Sequence, residues 1–364
     1  MPGARVPYAA NVVNGGNGQI YRSKQQRDLV VIGASAGGVD ALQTLVQDLP
    51  PEFPAAVLVV LHVASTGTSV LPQILARQGP LPATFARDRD ELRRGQIFVA
   101  PADHHMLVHD GRVRLTRGPR ENGHRPAIDP LFRSAGRAAG ERTIAVVMSG
   151  LLDDGASGLR FIKASGGAAV VQDPDDALFP SMPKAAMALA HVDRIVPASS
   201  MASVLCALIE ESIELGQEEV SVPAGAVPAD QDTEGADRVE LEDPVDTAAL
   251  LHGPPTGLTC PECGGALWEQ IDGPNLRFAC HVGHAYSVAS LVEEQGRSLE
   301  TTLWSAVRAL EERADMHRRL ARRAAGSRRE LYETRAADAE AHALELRKLL
   351  AGSGRLAVPA PEPA

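Results

Sequence analysis

Leu29-Val30-Val31-Ile32-Gly33-Ala34-Ser35-Ala36-Gly37-Gly38 is the stretch whose reading decides the fold. A short apolar, β-branched run ends in a glycine-rich turn that carries one serine, and 39–49 reads as a helix. A strand feeding a tight turn and then a helix puts Ser35 at the carboxyl end of the strand. That is also the positive end of a helix dipole, on the edge of an α/β sheet where ligands sit. Gly33-x-Ser35-x-Gly37 matches the G-x-S-x-G nucleophile turn. Taken alone, the stretch equally suits a phosphate-binding loop or a plain βα connection.

Working outward, short apolar runs alternate with helical segments. Residues 56–62 (Ala-Val-Leu-Val-Val-Leu-His), 96–100, 143–149, 167–172 and 194–196 read as strands. Residues 71–77, 129–139, 155–164, 183–190 and 200–215 read as helices. Asp110-Gly111 between 106–109 and 113–116 marks a hairpin. The alternation predicts an α/β fold: a doubly wound, mainly parallel sheet with helices on both faces. Asp129 before Pro130 predicts an N-cap with proline at N1.

Composition sets the limits. The chain has 364 residues, 44% of them hydrophobic, enough for two or more domains. There is no apolar run of about 18 residues, so no membrane insertion is expected. Residues 1–27 lack the apolar core of a signal peptide and read as a disordered lead-in to a cytoplasmic protein. The net charge is -10, but 217–246 holds ten acidic residues against Arg238 alone. The folded parts are therefore near neutral, and no nucleic-acid partner is expected. A nucleotide-binding α/β module is disfavoured too, because the turn lacks G-x-G-x-x-G and the second strand ends in His62 rather than an acid.

A serine becomes a nucleophile at neutral pH only with a base, and the base needs an orienting acid. His62 closes the strand 56–61, and Asp153-Asp154-Gly155 follows the strand 143–149. Ser35, His62 and an Asp near position 154 would thus lie at carboxyl ends of parallel strands about 4.8 Å apart. The α/β-hydrolase order Ser, Asp, His offers a rival set of Ser35, Asp154 and His191. Asp153 is the alternative acid.

Six ordered motifs then carry a resemblance: Gly33-Ala-Ser-Ala-Gly-Gly; Leu61-His62-Val63; Phe98-Val-Ala-Pro-Ala-Asp-His-His; Arg125-Pro-Ala-Ile-Asp129-Pro-Leu-Phe; Ser149-Gly-Leu-Leu-Asp-Asp154-Gly; and Met182-Pro183. Over about 28–205 the chain resembles the catalytic domain of chemotaxis protein-glutamate methylesterases of the CheB type. The resemblance implies hydrolysis of glutamate methyl esters, with deamidation of glutamines, on chemoreceptor-type signalling proteins. It implies Ser35 as nucleophile, His62 as base, Asp154 as orienting acid and the backbone N–H of Leu151 as an oxyanion donor. It implies no cofactor for catalysis, and methyltransferase or kinase pathway proteins as further partners. Leu152 replaces a glycine usual in the family, and Ala36 a threonine; these departures motivate a signalling scaffold of weak activity as the alternative. Since about 27 residues precede Asp28, the receiver domain usual in the family is not expected.

Residues 217–257 form an acidic, Pro- and Ala-rich stretch and read as a flexible linker after a catalytic domain of 28–216. In 258–288, Cys260-Pro-Glu-Cys263 and Cys280-His-Val-Gly-His284 have the spacing of a structural zinc site. The expected ligands are Cys260, Cys263, Cys280 and His284, with His281 the alternative fourth. The segment resembles a zinc-ribbon-like extension and is too short to bury a core without metal. Residues 289–351 read as a helical hairpin broken at Gly326-Ser327. Ser290 is the expected cap, and Leu299, Leu303, Val307, Leu310 and Ala314 form an apolar stripe suited to self-association. Residues 352–364 read as a disordered tail.

Overall fold

Val30, Ile32 and Ala34 pack into one hydrophobic cluster and Leu29 and Val31 into another, all of them buried. This strict alternation makes 29–34 a central strand with both faces covered. A computed structural model of the protein describes residues 12–15, 19–22, 26–63, 69–211, 253–272 and 275–352. It divides into two compact units, Met1–Leu250 and Leu251–Ala364. Most of the expected linker and tail (212–252 and 353–364) lies outside the described residues.

In the first unit, β1 (Val12–Gly15) and β2 (Gln19–Arg22) pair as an antiparallel hairpin inside the stretch expected to be disordered. There follow β3 (Leu29–Ala34), α1 (Gly38–Gln47), β4 (Ala56–Leu61), α2 (Leu71–Gln78), β5 (Ala83–Phe85), β6 (Ile97–Val99), β7 (His105–His109) and β8 (Arg112–Thr116). After them come α3 (Ile128–Ala139), β9 (Thr143–Val147), α4 (Ala156–Ala164), β10 (Ala168–Gln172), α5 (Ser181–Leu189), β11 (Arg194–Val196) and α6 (Ala198–Glu210). Seven strands form one sheet in the order β11-β10-β9-β3-β4-β6-β5, and every pairing in it is parallel. Leu42, Leu45, Leu75, Met201 and Leu205 of α1, α2 and α6 cover one face. Ile128, Leu131, Phe132, Leu159, Ile162 and Met182 of α3, α4 and α5 cover the other, together with Met106 and Val113 of the β7–β8 hairpin. Each such fully buried side chain contributes about 1.5–3 kcal/mol. The doubly wound sheet is therefore as the alternation requires. β3 lies between β4 and β9, so the turns after β3, β4 and β9 share one carboxyl edge.

One local expectation is corrected, and two features were unforeseen. The N-cap of α3 is Ala127, not Asp129; the Asp129 side chain instead accepts from Gly155 N–H (3.0 Å) and Gly158 N–H (2.7 Å) at the start of α4. His105, just before the expected hairpin strand 106–109, opens β7 fully buried. Its Nε2–H donates to Pro119 O (2.9 Å) and its Nδ1 accepts from Ala127 N–H (3.3 Å). Burial pushes its imidazole below the usual histidine range. The short β5, half-exposed and framed by Leu81-Pro82, has no apolar run to announce it.

In the second unit, β12 (Pro255–Thr259), β13 (Ala266–Asp272), β14 (Asn275–Cys280) and β15 (Ala285–Ser287) make an antiparallel sheet. Leu267, Phe278, Tyr286 and Leu291 surround Cys260 and Cys280. The long helix α7 (Val288–Arg323) is capped by Ser287, whose Oγ accepts from Ser290 N–H at 3.0 Å; the cap therefore falls three residues before Ser290. α8 (Ser327–Gly352) follows a turn at Gly326 with φ +57°. The seam between the helices uses Val307, Ala314 and Ala321 against Ala336, Ala339 and Ala343, and Leu299 stays exposed. Arg347 pairs with Glu311 (2.6 Å) across it, as Arg318 does with Glu340.

Candidate active site

The turn after β3 presents Ser35 half-buried at the sheet edge. Ser35 N–H donates to Ser149 O (2.9 Å), and Gly38 N–H donates to Ser35 O (2.9 Å). Gly37 has φ +70°, and a Cβ there would lie 2.8 Å from Ser149 Oγ and 2.9 Å from Leu178 Cβ. Only glycine fits both the conformation and the space. His62 follows β4 directly and is tied to the same strand pair by its N–H donating to Ala34 O (3.1 Å). Asp154 lies on the connection from β9 to α4.

These three side chains meet. Ser35 Oγ is 3.2 Å from His62 Nδ1, and His62 Nε2 is 2.7 Å from Asp154 Oδ2. The Asp154 carboxylate is buried and saturated with donors. Ile128 N–H (2.7 Å) reaches Oδ2; Asp129 N–H (3.2 Å) and the Asn122 amide (2.9 Å) reach Oδ1. It therefore sits at the positive end of α3. Burial pushes this carboxyl up, but the hydrogen bond and charge of His62, with the Ile128 N–H, outweigh burial and hold it well below the usual carboxylate range. Such a group stays ionised at neutral pH and steadies a positive imidazolium beside it.

The remaining predicted residues are placed as follows. Leu151 is half-exposed, and among the described residues its N–H donates to no protein acceptor. Its neighbour Gly150 backs onto the nucleophile turn: a Cβ there would fall 2.9 Å from Ser35 Cβ and would clash with Met182 Sδ. Leu152, where a glycine was expected from the resemblance, holds the turn with φ +61°. Met182 is buried, and its N–H donates to Gly150 O (3.0 Å). His191 lies exposed beyond α5, while His62 occupies Asp154. The C=O of Asp153 accepts from Ala156 N–H (3.1 Å) in the turn that opens α4. Arg125 grips Asp103 Oδ1 through Nε (3.0 Å) and Nη2 (2.6 Å) and donates to Gly118 O (2.8 Å).

Sequence reasoning missed Asn122 and His124. Asn122 Nδ2 donates to both Asp154 Oδ1 (2.9 Å) and Asp129 Oδ2 (3.1 Å). The His124 ring stacks on His62, with centroids 3.7 Å apart and planes 13° from parallel. The Asn122-Gly123 dipeptide, a signature of a tight turn, was the signal that could have found them.

In the second unit, the ligand atoms of Cys260, Cys263, Cys280 and His284 all lie within 4.8 Å of one another. Cys260 Sγ and Cys280 Sγ are 3.6 and 3.5 Å from His284 Nδ1, and Cys263 Sγ is 3.6 Å from Cys280 Sγ. His284 Nε2 is 3.3 Å from Glu262 Oε2. The alternative ligand His281 is exposed, its ring tilted 45° to Trp268.

Fold and site together define a doubly wound α/β protein with a serine–histidine–aspartate relay at the carboxyl edge of its sheet. The profile of the CheB methylesterase family matches residues 30–205. A protein-glutamate methylesterase/protein-glutamine glutaminase 2 of Anaeromyxobacter dehalogenans is 41% identical over 170 residues, 47% of this chain and 50% of that protein. A Leptospira interrogans protein that carries the same activity in its name is 33% identical over 188 residues, 51% of this chain and 97% of that protein. The crystal structure of the Thermotoga maritima CheB methylesterase catalytic domain is 31% identical, with a TM-score of 0.48, over 50% of this chain and 98% of that one. The chain belongs to the CheB methylesterase family, a family of hydrolases. It spans about half the length of the Anaeromyxobacter relative and nearly all of the Leptospira one. None of the described helices is long and apolar enough to cross a membrane.

Proposed function

We propose that the first unit is a protein-glutamate methylesterase that demethylates glutamate γ-methyl esters on a chemoreceptor-type signalling protein through a serine nucleophile. The observation that carries this reading is the unbroken hydrogen-bonded chain from Ser35 Oγ through His62 to Asp154. As Ser35 Oγ attacks the ester carbonyl carbon, its proton passes to His62 Nδ1. Asp154 holds the Nε2–H and stabilises the imidazolium, and Leu151 N–H donates to the developing oxyanion. The carbon–oxygen bond to the methoxy group then breaks, and His62 returns the proton so that methanol leaves. Water, deprotonated by His62, attacks the acyl-serine and frees the glutamate carboxyl and Ser35. Base assistance contributes about 10²–10⁴-fold, and one oxyanion donor about 10²–10³-fold. A glutamine side chain presents the same carbonyl with ammonia as leaving group, so deamidation needs no further machinery. The scaffold alternative loses its motive, because neither Leu152 nor Ala36 breaks the relay.

In the second unit, Cys260, Cys263, Cys280 and His284 are proposed to hold a structural zinc. Four ligands on a tetrahedron with zinc–sulfur bonds of about 2.3 Å stand roughly 3.7 Å apart, and the donor spacings of 3.5–3.6 Å fit. Glu262 would orient His284 from behind. Such an ion stabilises the small sheet and takes no part in hydrolysis.

The test is methanol release from a methylated chemoreceptor signalling fragment by wild type, Ser35→Ala, His62→Ala and His191→Ala. Release abolished in the first two variants and kept in the third is expected. Release that survives Ser35→Ala would overturn the reading.

A further inference from the structure

Residues Glu121, Asn122, Gly123 and His124 form a two-residue hairpin turn. His124 N–H donates to Glu121 O (2.8 Å), Glu121 N–H donates to His124 O (3.2 Å), and φ is +51° at Asn122 and +76° at Gly123. That is the type I′ geometry, for which Asn-Gly is the favoured pair. Both ends of the turn address the relay. The Asn122 amide spends its two N–H bonds on Asp154 Oδ1 (2.9 Å) and Asp129 Oδ2 (3.1 Å). Asp129 in turn binds the first N–H groups of α4, and Asp154 those of α3, so Asn122 bridges two reciprocal helix caps. His124, two residues on, lies flat against the His62 ring at 3.7 Å. The turn is itself anchored, because Glu121 makes a buried 2.6 Å ion pair with Arg133 of α3.

We propose that this turn is a positioning clamp for hydrolysis, with Asn122 fixing the Asp154 carboxylate and His124 fixing the plane of the His62 ring. Asn122 acts through Asp154 and His124 through the His62 ring, each as a positioning residue. The physical case is rotational. Asp154 can turn about its Cβ–Cγ bond and His62 about both of its side-chain torsions, and the relay works only when Oδ2, Nε2, Nδ1 and Oγ stay in line. Ile128 N–H holds Oδ2, while Asp129 N–H and the Asn122 amide together hold Oδ1. Stacking leaves His62 free to slide by little and to tip hardly at all. Small misalignments are expensive in such a relay: about 1 Å costs roughly 10²-fold.

The proposal rests on the nucleophile reading, so its test begins with the inactivation of the full chain by a fluorophosphonate ester, which needs no receptor. Wild type should be labelled and Ser35→Ala not; an unlabelled, folded wild type would sink the nucleophile reading and the clamp with it. Asn122→Gly keeps the positive φ and removes only the amide. His124→Ala removes the ring, and His124→Phe keeps a flat ring in place. The limiting inactivation rate should fall about 10-fold to 10²-fold in Asn122→Gly and His124→Ala, with the half-saturating phosphonate concentration unchanged. His124→Phe should recover most of the rate. A merely structural role would instead lower the melting temperature of all three variants and leave the limiting rate of the folded protein alone. Wild-type rates in Asn122→Gly and His124→Ala, or a His124→Phe variant as slow as His124→Ala, would overturn the clamp.

Discussion

Replacing Asp154 by asparagine tests the relay at its most buried point. Two donors converge on each carboxylate oxygen: His62 and Ile128 N–H on Oδ2, Asp129 N–H and Asn122 on Oδ1. An amide offers one oxygen, so its NH₂ group must face one of these pairs, donor to donor. With the amide nitrogen toward His62, the ring can present an acceptor, but Ile128 N–H is left without a partner and the wrong tautomer faces Ser35. One orphaned buried N–H costs about 1–3 kcal/mol, which for a domain of this size lowers the melting temperature by roughly 2–10 °C. The activity cost is larger. The imidazolium loses its counter-charge, and a wrong tautomer at this position costs about 10⁴-fold in the serine-protease precedent. Methanol release and thermal melts of the purified variant at neutral pH read both effects. The acid side supplies a sign check. Asp154 has its folded carboxyl lowered, so wild type gains stability above the ordinary aspartate range and loses it as pH falls through the lowered value. Asp154→Asn lacks that component, and its stability deficit should shrink in strong acid. A variant within 10-fold of wild-type activity, or one more stable at neutral pH, would refute the reasoning.

Gly150→Ala should cost about 1–3 kcal/mol of stability, since the new Cβ would clash with Met182 Sδ and meet Ser35 Cβ at 2.9 Å; methanol release should fall with it, and an unchanged melting curve would show the contact is absent. Leu152→Gly should raise the melting temperature by about 1–3 °C, because a leucine at φ +61° carries roughly 1–2 kcal/mol of strain that glycine relieves, less its own entropy cost. A lower melting temperature would contradict it. Elemental analysis should find about one zinc per chain, lost in Cys280→Ser, and chelation should unfold the second unit, read by the fluorescence of Trp268. A metal-free preparation with the same melting behaviour would argue against a metal-built module.

Much of this was legible in the chain. Strands fully covered on both faces read as continuous apolar runs, so β3, β4, β9 and β10 were plain, and the parallel order placed Ser35, His62 and Asp154 on one edge. What stayed hidden was local and polar. Asp129 looks like an N-cap from its neighbour Pro130, but its carboxylate serves a different helix, and no sequence window spans 25 residues to Asp154. Ser290 reads as the cap, but the backbone is still extended at Ser287, whose side chain takes the Ser290 N–H. A leucine at positive φ has no signature, because the strain at Leu152 is imposed by the fold. The Asn122-Gly123 pair is a turn signature that went unread, and what it holds lies across the fold.

The most direct measurement is a titration of the full chain with a fluorophosphonate ester, following adduct position by peptide mapping and methanol release from a methylated receptor fragment together. The account predicts one equivalent bound at Ser35, with activity lost in proportion to its occupancy. An adduct elsewhere, or methanol release that survives full occupancy of Ser35, would contradict it.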